Sequence, residues 1–238
     1  MSTFLSIGII NILLLAVCGC ISEQPIPNKS QTGLRTGELS GSFAELLILR
    51  SACRLKNYRT LQASSYDRQG GFFDAGHFIR TEQGRRYVIM EENNPGCIDR
   101  IWLTRKTLNE PYDLLIYLDG SKEPIIHISL AEWSSGNKPP FVRPLAGTCA
   151  DEKHPAYFSY VPIGFQRSCK IVLVPTAPDD KYEHRKTETG KEIPLVFYQI
   201  TYRKFQPGTL VKRFQWNLEE TEKDAFDKVR VQWANAGV

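Results

Sequence analysis

Between Ser64 and Asp74 the sequence reads S-S-Y-D-R-Q-G-G-F-F-D, which brings two carboxylates, a guanidinium, a tyrosine and a Gly-Gly pair into one short stretch. Carboxylates accept hydrogen bonds from ligand hydroxyls, and a guanidinium either neutralises one of them or donates to the same hydroxyls. Paired glycines let the backbone approach a ligand closely, because no Cβ stands in the way. Tyr66, Asp67, Arg68, Gly70, Gly71 and Asp74 are therefore candidate ligand contacts, and His77 follows closely enough to join them. The competing reading is a rigid loop in which the Asp–Arg pair only holds the turn together. The other carboxylates in reach of this chemistry are Glu91, Glu92, Asp99, Asp119 and Glu132. Asp119 with Gly120 reads as a turn, Asp99 sits between strand residues, and Glu91-Glu92 precede a turn. Trp133, beside Ser134-Ser135-Gly136, is placed at the surface of a cleft, whereas Trp102 lies in an alternating strand and is assigned to the core.

The elements that must position these residues are mostly strands. Short β-rich runs occupy Tyr87 to Met90, Ile98 to Leu103, Leu114 to Leu118, Ile125 to Leu130, Tyr157 to Val161, Cys169 to Val174 and Leu195 to Tyr202. Turn formers separate them, among them Asn93-Asn94-Pro95-Gly96, Asp119-Gly120 and Pro175 to Asp180. Such a series without alternating helices predicts an all-β fold, an antiparallel jelly-roll β-sandwich with an N-terminal and a C-terminal helix. The first helix is expected over Ser42 to Cys53, with Ser42 as N-cap and Glu45 as its capping-box partner. The second starts near Asn217, with Glu220 in the box position and Phe226, Val229 and Trp233 on one stripe. Strict alternation distributes Ile101, Leu103, Leu115, Tyr117, Ile171, Leu173, Phe197 and Gln199 between the two faces of their strands.

Composition narrows the class. A chain of 238 residues, 42% hydrophobic and 24% charged, can bury one full core. Its net charge of +4 is spread along the sequence, and Arg85-Arg86 and Lys212-Arg213 are isolated basic pairs, so nucleic acid is not an expected partner. The histidines lack helical spacing and no C-x-x-C occurs, so neither a metal nor a cofactor is expected. No G-x-S-x-G elbow supports a serine hydrolase. Residues 1–19 read as an export signal with its apolar run from Ile7 to Val17, although Met1 to Ile10 carry no Lys or Arg. Val17-Cys18-Gly19-Cys20 fits a lipobox, which makes Cys20 the lipidated first residue of a lipoprotein anchored in a membrane, in the periplasm or at the cell surface. An ordinary cleaved signal or an uncleaved anchor is the alternative. Residues 20–40 form a tether, 41–216 the sandwich and 217–238 the closing helix. Cys53, Cys97, Cys149 and Cys169 allow three disulfide pairings that spacing does not rank.

Taken in order, the Ser64 to Asp74 loop, P-G-C-I-D-R-I-W-L-T at Pro95 to Thr104, L-I-Y-L-D-G at Leu115 to Gly120 and S-Y-V-P-I-G-F at Ser159 to Phe165 carry a resemblance. The chain resembles a bacterial family first catalogued as domain of unknown function 2961 and later recognised as glycoside hydrolase family 172, which acts on fructofuranosides and arabinofuranosides. The resemblance implies a jelly roll and a furanose-containing glycan as ligand. It also implies an active site shared between protomers, hence a homo-oligomer or a partner chain supplying the second half. Family members carry their catalytic glutamates in E-G-D-E and G-T-E-D-Y-F motifs of a second jelly roll, and neither string occurs in this sequence. The expectation is a first half that is incomplete and inactive alone, or else a non-catalytic jelly-roll module for glycan binding or self-assembly. Where the family commonly has Asn after the Gly pair, Phe72 stands here. Phe72 or Phe73 could stack on a sugar ring, although a buried aromatic fits either position better.

Overall fold

The computed structural model describes residues 40–48, 57–71, 73–83, 85–105, 111–149, 156–178, 184–186, 190 and 192–236. The signal, Cys20 and nearly all of the tether, together with Cys53 and Phe72, lie outside the described residues. In chain order the strands are β1 (Tyr58–Ser64), β2 (Arg80–Glu82), β3 (Arg86–Glu92), β4 (Gly96–Arg105), β5 (Tyr112–Leu118) and β6 (Ile126–Ser129). After a short helix α1 (Leu130–Ser135) come β7 (Asn137–Lys138), β8 (Phe141–Val142), β9 (Ala146–Cys149), β10 (Ala156–Ser159), β11 (Ile163–Phe165) and β12 (Cys169–Pro175). Strands β13 (His184–Lys186), β14 (Glu192–Pro194) and β15 (Val196–Phe205) precede helix α2 (Glu220–Ala234). One sheet runs β1-β15-β4-β10-β9, with β11 also on β4; the other runs β2-β3-β12-β5-β6, and every pairing is antiparallel. The all-β sandwich expected from the strand series is the fold observed.

Alternation along the long strands builds the core. Ile101 and Leu103 of β4, Val196, Tyr198 and Ile200 of β15, Leu114 and Ile116 of β5, and Ile171 and Leu173 of β12 are all buried in one cluster between the sheets. Each side chain of this kind contributes on the order of 1.5–3 kcal/mol by leaving water. The same parity turns Trp102, Thr104, Phe197 and Gln199 to the outer face of the first sheet, where they are only half-buried. Leu115 and Tyr117 likewise lie on the outer face of the second sheet, in a small separate cluster with Val88, Val172 and Val174.

The helix ends depart from expectation. Of the first helix, expected over Ser42 to Cys53, the described part is a 3-10 turn, Phe43–Leu47, residues 49–53 lying outside the described residues, and Ser42 makes no side-chain cap bond. Glu45 does not close a capping box, because its carboxylate is taken by Gly41 N and by the Arg203 guanidinium. Helix α2 begins at Glu220, with Glu219 and not Asn217 at the N-cap position, two residues later than expected, and Glu219 pairs with Lys212 at 2.6 Å instead of capping. Its stripe is as read: Phe226 and Val229 are buried, Trp233 half-buried, and Phe226 meets the Phe43 ring edge-on at 5.0 Å. Helix α1 was not anticipated. It carries a complete capping box between Ser129 and Glu132, a signal legible as Ser-x-x-Glu.

Two polar hubs pin the sandwich. The buried Arg203 guanidinium bonds Glu45 at 2.6 and 2.9 Å and Asp99 at 2.7 to 3.0 Å, and lies over the Tyr58 and Phe205 rings. Burial pushes the Asp99 carboxyl up, against the pull of Arg203. Asp119, at a φ of 59°, turns the chain after β5, accepts the Gln166 and Arg167 amides at 2.8 and 2.6 Å, and pairs with Arg213 at 2.6 Å. Cys97, Cys149 and Cys169 are free thiols. Among the described residues no helix is long and apolar enough to cross a membrane, and no three or more His, Cys, Asp or Glu side chains come together as a metal site would need.

Candidate functional site

The Ser64 to Asp74 loop leaves the end of β1 and is stitched to β15. Ser65 N donates to Tyr198 O at 3.1 Å, Tyr198 N donates to Ser65 Oγ at 3.0 Å, and Gly76 N donates to Val196 O at 2.8 Å. Within the loop, Asp67 Oδ1 accepts Gln69 N at 2.9 Å, an Asx turn that gives the chain its reversal, and Gly70 adopts a φ of 82°. Asp67 N donates to Asp74 Oδ1 at 2.8 Å, closing the loop into a ring. A Cβ at Gly71 would stand 2.2 Å from Asp67 Oδ2, so glycine is what lets that carboxylate fold back onto its own loop. Arg68 stacks over the Tyr66 ring at 4.8 Å and donates to Ser64 O and His77 O. His77 Nε2 lies 2.9 Å from Phe73 O, and its Nδ1 is 4.0 Å from Asp67 Oδ1. Tyr198 anchors the ring from below by donating its hydroxyl to His77 O at 2.8 Å. Burial pushes that phenol up to about 12, so it remains a donor across the neutral range.

Beside this loop, on the outer face of the first sheet, lies a cleft of about 380 Å³ walled by Ser64, Ser65, Tyr66, Asp74, Trp102, Thr104, Phe197, Tyr198 and Gln199. Its floor is the outward set of β4 and β15, with Trp102 paired to Gln199 and Thr104 to Phe197 across the strands. Tyr66 stands at the rim, 52% exposed, and the Phe73 ring packs edge-on against Phe197 at 6.1 Å. The smaller hollow of about 20 Å³ between Gly41, Phe43 and Glu222 has no comparable room.

The residues expected to meet a ligand divide sharply. Tyr66 and Asp74 line the cleft; Asp67, Arg68, Gly70, Gly71 and His77 form the loop's internal bonds and backbone geometry. Trp133 must be moved from the surface to the core: it is fully buried in α1, its ring against Phe141 and its Nε1 donating to Phe158 O at 2.8 Å. Trp102 moves the opposite way, into the cleft. Sequence reasoning missed Trp102, Phe197 and Gln199, although alternation already puts Trp102 on the face opposite Ile101 and Leu103. The remaining carboxylates serve structure. Glu91 is held below the usual range by the Arg80 guanidinium at 2.6 Å, Glu92 accepts the Asn93 amide and Lys204, and Glu132 pairs with Lys138 while capping α1.

Residues 56–222 match the family model described as GH172 first beta-sandwich domain. No curated protein matches the sequence. Among solved structures the chain is similar to one in the structure of the infectious bursal disease virus Gx strain, at 12% identity and a TM-score of 0.30. That alignment covers 65% of this chain and 36% of the viral one.

Proposed function

Because the chain belongs to the GH172 family through its first β-sandwich domain, we propose that it is an exported lipoprotein whose outer-sheet cleft binds furanose-bearing glycan. The observation that carries this reading is the meeting of Trp102 and Asp74 across one open cleft. An indole offers a flat apolar surface to the C–H face of a sugar ring. Asp74 spends Oδ1 on the loop and leaves Oδ2 as an acceptor for a hydroxyl. Arg100 Nη1 lies 3.4 Å from Gln199 Oε1, and since a guanidinium only donates, the Gln199 amide nitrogen is left to donate into the cleft. A sugar hydroxyl gives one hydrogen bond and takes another, which matches this pair.

Turnover is a separate matter. Glycoside hydrolysis uses two carboxyl groups, about 5–5.5 Å apart for retention or about 6.5–9.5 Å for inversion. Among the described residues Asp74 is the carboxylate lining the cleft, and Asp67 faces its own loop. The domain therefore binds without hydrolysing by itself, and a partner carboxylate comes from a second protomer or a second-half chain. A non-catalytic glycan-binding or self-assembling module is the other reading. The lipobox supports anchoring through acylated Cys20, in the periplasm or at the cell surface. Cys20→Ser should leave the protein unprocessed or soluble, and unchanged mass and membrane fractionation in that variant refute the anchor. A furanosidase assay with a glycan array on the full chain tests the rest. Glycan binding weakened by Asp74→Asn, with no turnover, is expected; robust turnover by the purified chain, abolished by Asp67→Asn or Asp74→Asn, overturns it.

A further inference from the structure

We propose that the cleft is the first station of an aromatic track that takes an oligosaccharide and not a single sugar; the proposal rests on the glycan reading of the cleft. On the outer face of the first sheet, Phe158 of β10 pairs directly with Trp102 of β4, and its neighbours Tyr157 and Ser159 are buried inward, so the Phe158 ring faces the same side as Trp102. Directly paired residues on one face stand about 4.5–5.5 Å apart at Cβ, close enough to form one continuous surface. Two residues on, the Tyr160 ring meets Phe158 at 6.0 Å, and Trp233 at the end of α2 meets Tyr160 at 5.6 Å. At the other end, Phe73 extends the cleft floor through Phe197. Partly exposed rings thus lie in series from the Asp74 loop to α2, joined by ring contacts at both ends and by strand register at Trp102, with Phe73 47% and Tyr160 37% exposed at either side.

Polar groups flank the rings, which separates this surface from a plain apolar docking face. The Gln199 amide stands on one side of Trp102. On the other side of Phe158 the paired residue is Gly147, and the Arg143 guanidinium lies where its Cβ would point, at 3.3 Å, with one nitrogen bonded to Thr148 O at 2.8 Å. Arg143 therefore covers the bare backbone beside Phe158 and keeps donors for hydroxyls at the edge of the track. Rings spaced along a strip with donors at its margins suit a chain of sugars, each presenting a C–H face to a ring and hydroxyls to the sides. A cleft serving one terminal sugar has no use for Phe158 and Tyr160.

The test is titration of the full chain in detergent with size-graded linear arabinofuranosyl oligosaccharides and fructo-oligosaccharides, from one to five sugars, by calorimetry. Affinity should rise with each added sugar, by about threefold to tenfold for every ring engaged. Phe158→Ala and the exposed Tyr160→Ser should each flatten that rise while leaving the shortest ligand's affinity unchanged. Trp102→Ala should lower affinity for every length. Equal affinity for one sugar and five, or a rise that survives both Phe158→Ala and Tyr160→Ser, overturns the track while the cleft reading stands. Failure of every length to bind removes the glycan reading itself, and the track with it.

Discussion

Replacing Arg203 by Met is the most telling perturbation of the sandwich. Its guanidinium bridges Glu45 and Asp99 through contacts of 2.6 to 3.0 Å, with side chains 10%, 19% and 32% exposed. Met keeps most of the packing against Tyr58 and Phe205 but leaves two neighbouring carboxylates without a cation. Removing one partner of a fully buried ion pair costs about 3–5 kcal/mol. Water reaches Asp99 here, so about 2–3 kcal/mol is the better figure. For a domain of this size, that lowers Tm by roughly 4–12 °C. The origin of the loss is visible in its pH dependence. Without the guanidinium, burial raises the Asp99 carboxyl further, and a group raised in the folded state costs stability as pH climbs through its pKa. The Tm deficit of Arg203→Met should therefore be large at neutral pH and shrink as pH falls below the usual carboxylate range. The triple variant that adds Glu45→Gln and Asp99→Asn should recover most of the neutral-pH deficit. Thermal melts by circular dichroism read both effects. A deficit under 1 °C, or one that ignores pH and is not relieved in the triple variant, refutes the electrostatic reasoning.

Gly70→Ala and Gly71→Ala should differ in kind: the first strains a left-handed residue by about 1–2 kcal/mol, whereas the second displaces the Asp67 carboxylate and disorders the Asx turn. Amide exchange at Gln69 should rise more in Gly71→Ala than in Gly70→Ala. Trp133→Ala should lose about 3–5 kcal/mol of stability in chemical denaturation, while Trp102→Ala stays within about 1 kcal/mol of the parent; the reverse ranking contradicts their assignments. The Arg80 and Lys138 partners hold Glu91 and Glu132 below the usual carboxylate range, so their stabilisation is present above it and is lost as pH falls through the lowered values. Melts in buffers stepped from pH 6 to pH 3 should fall less steeply for Arg80→Met than for the parent.

The sandwich was legible because strand and turn signals are local. Asp119-Gly120 needs left-handed backbone, and Ile171 and Leu173 need a core on one side, and neither depends on distant residues. Parity within a strand was equally local, yet Trp102 was misplaced because a large aromatic in a strand reads as core unless its neighbours are weighed first. The capping of the first helix was misread for the opposite reason. Glu45 looks like a capping partner in sequence, but Arg203, 158 positions away, takes its carboxylate. Asp67 and Arg68 could not be sorted from Asp74 by type or spacing. Which of them faces the cleft depends on the loop closing on itself and on Tyr198 beneath it, contacts that only the folded chain supplies.

Strands β4 and β15 divide their labour residue by residue: one set of positions holds the sheets together, and the set between them faces the cleft. The lining of the cleft can thus drift under mutation at positions 102, 104, 197 and 199 while 101, 103, 198 and 200 stay fixed. A fold whose cleft residues are interleaved with its core, yet on the opposite side of the same backbone, lets descendants change the cleft without first becoming unstable, and on the proposed glycan reading it gives selection a short path between related sugars.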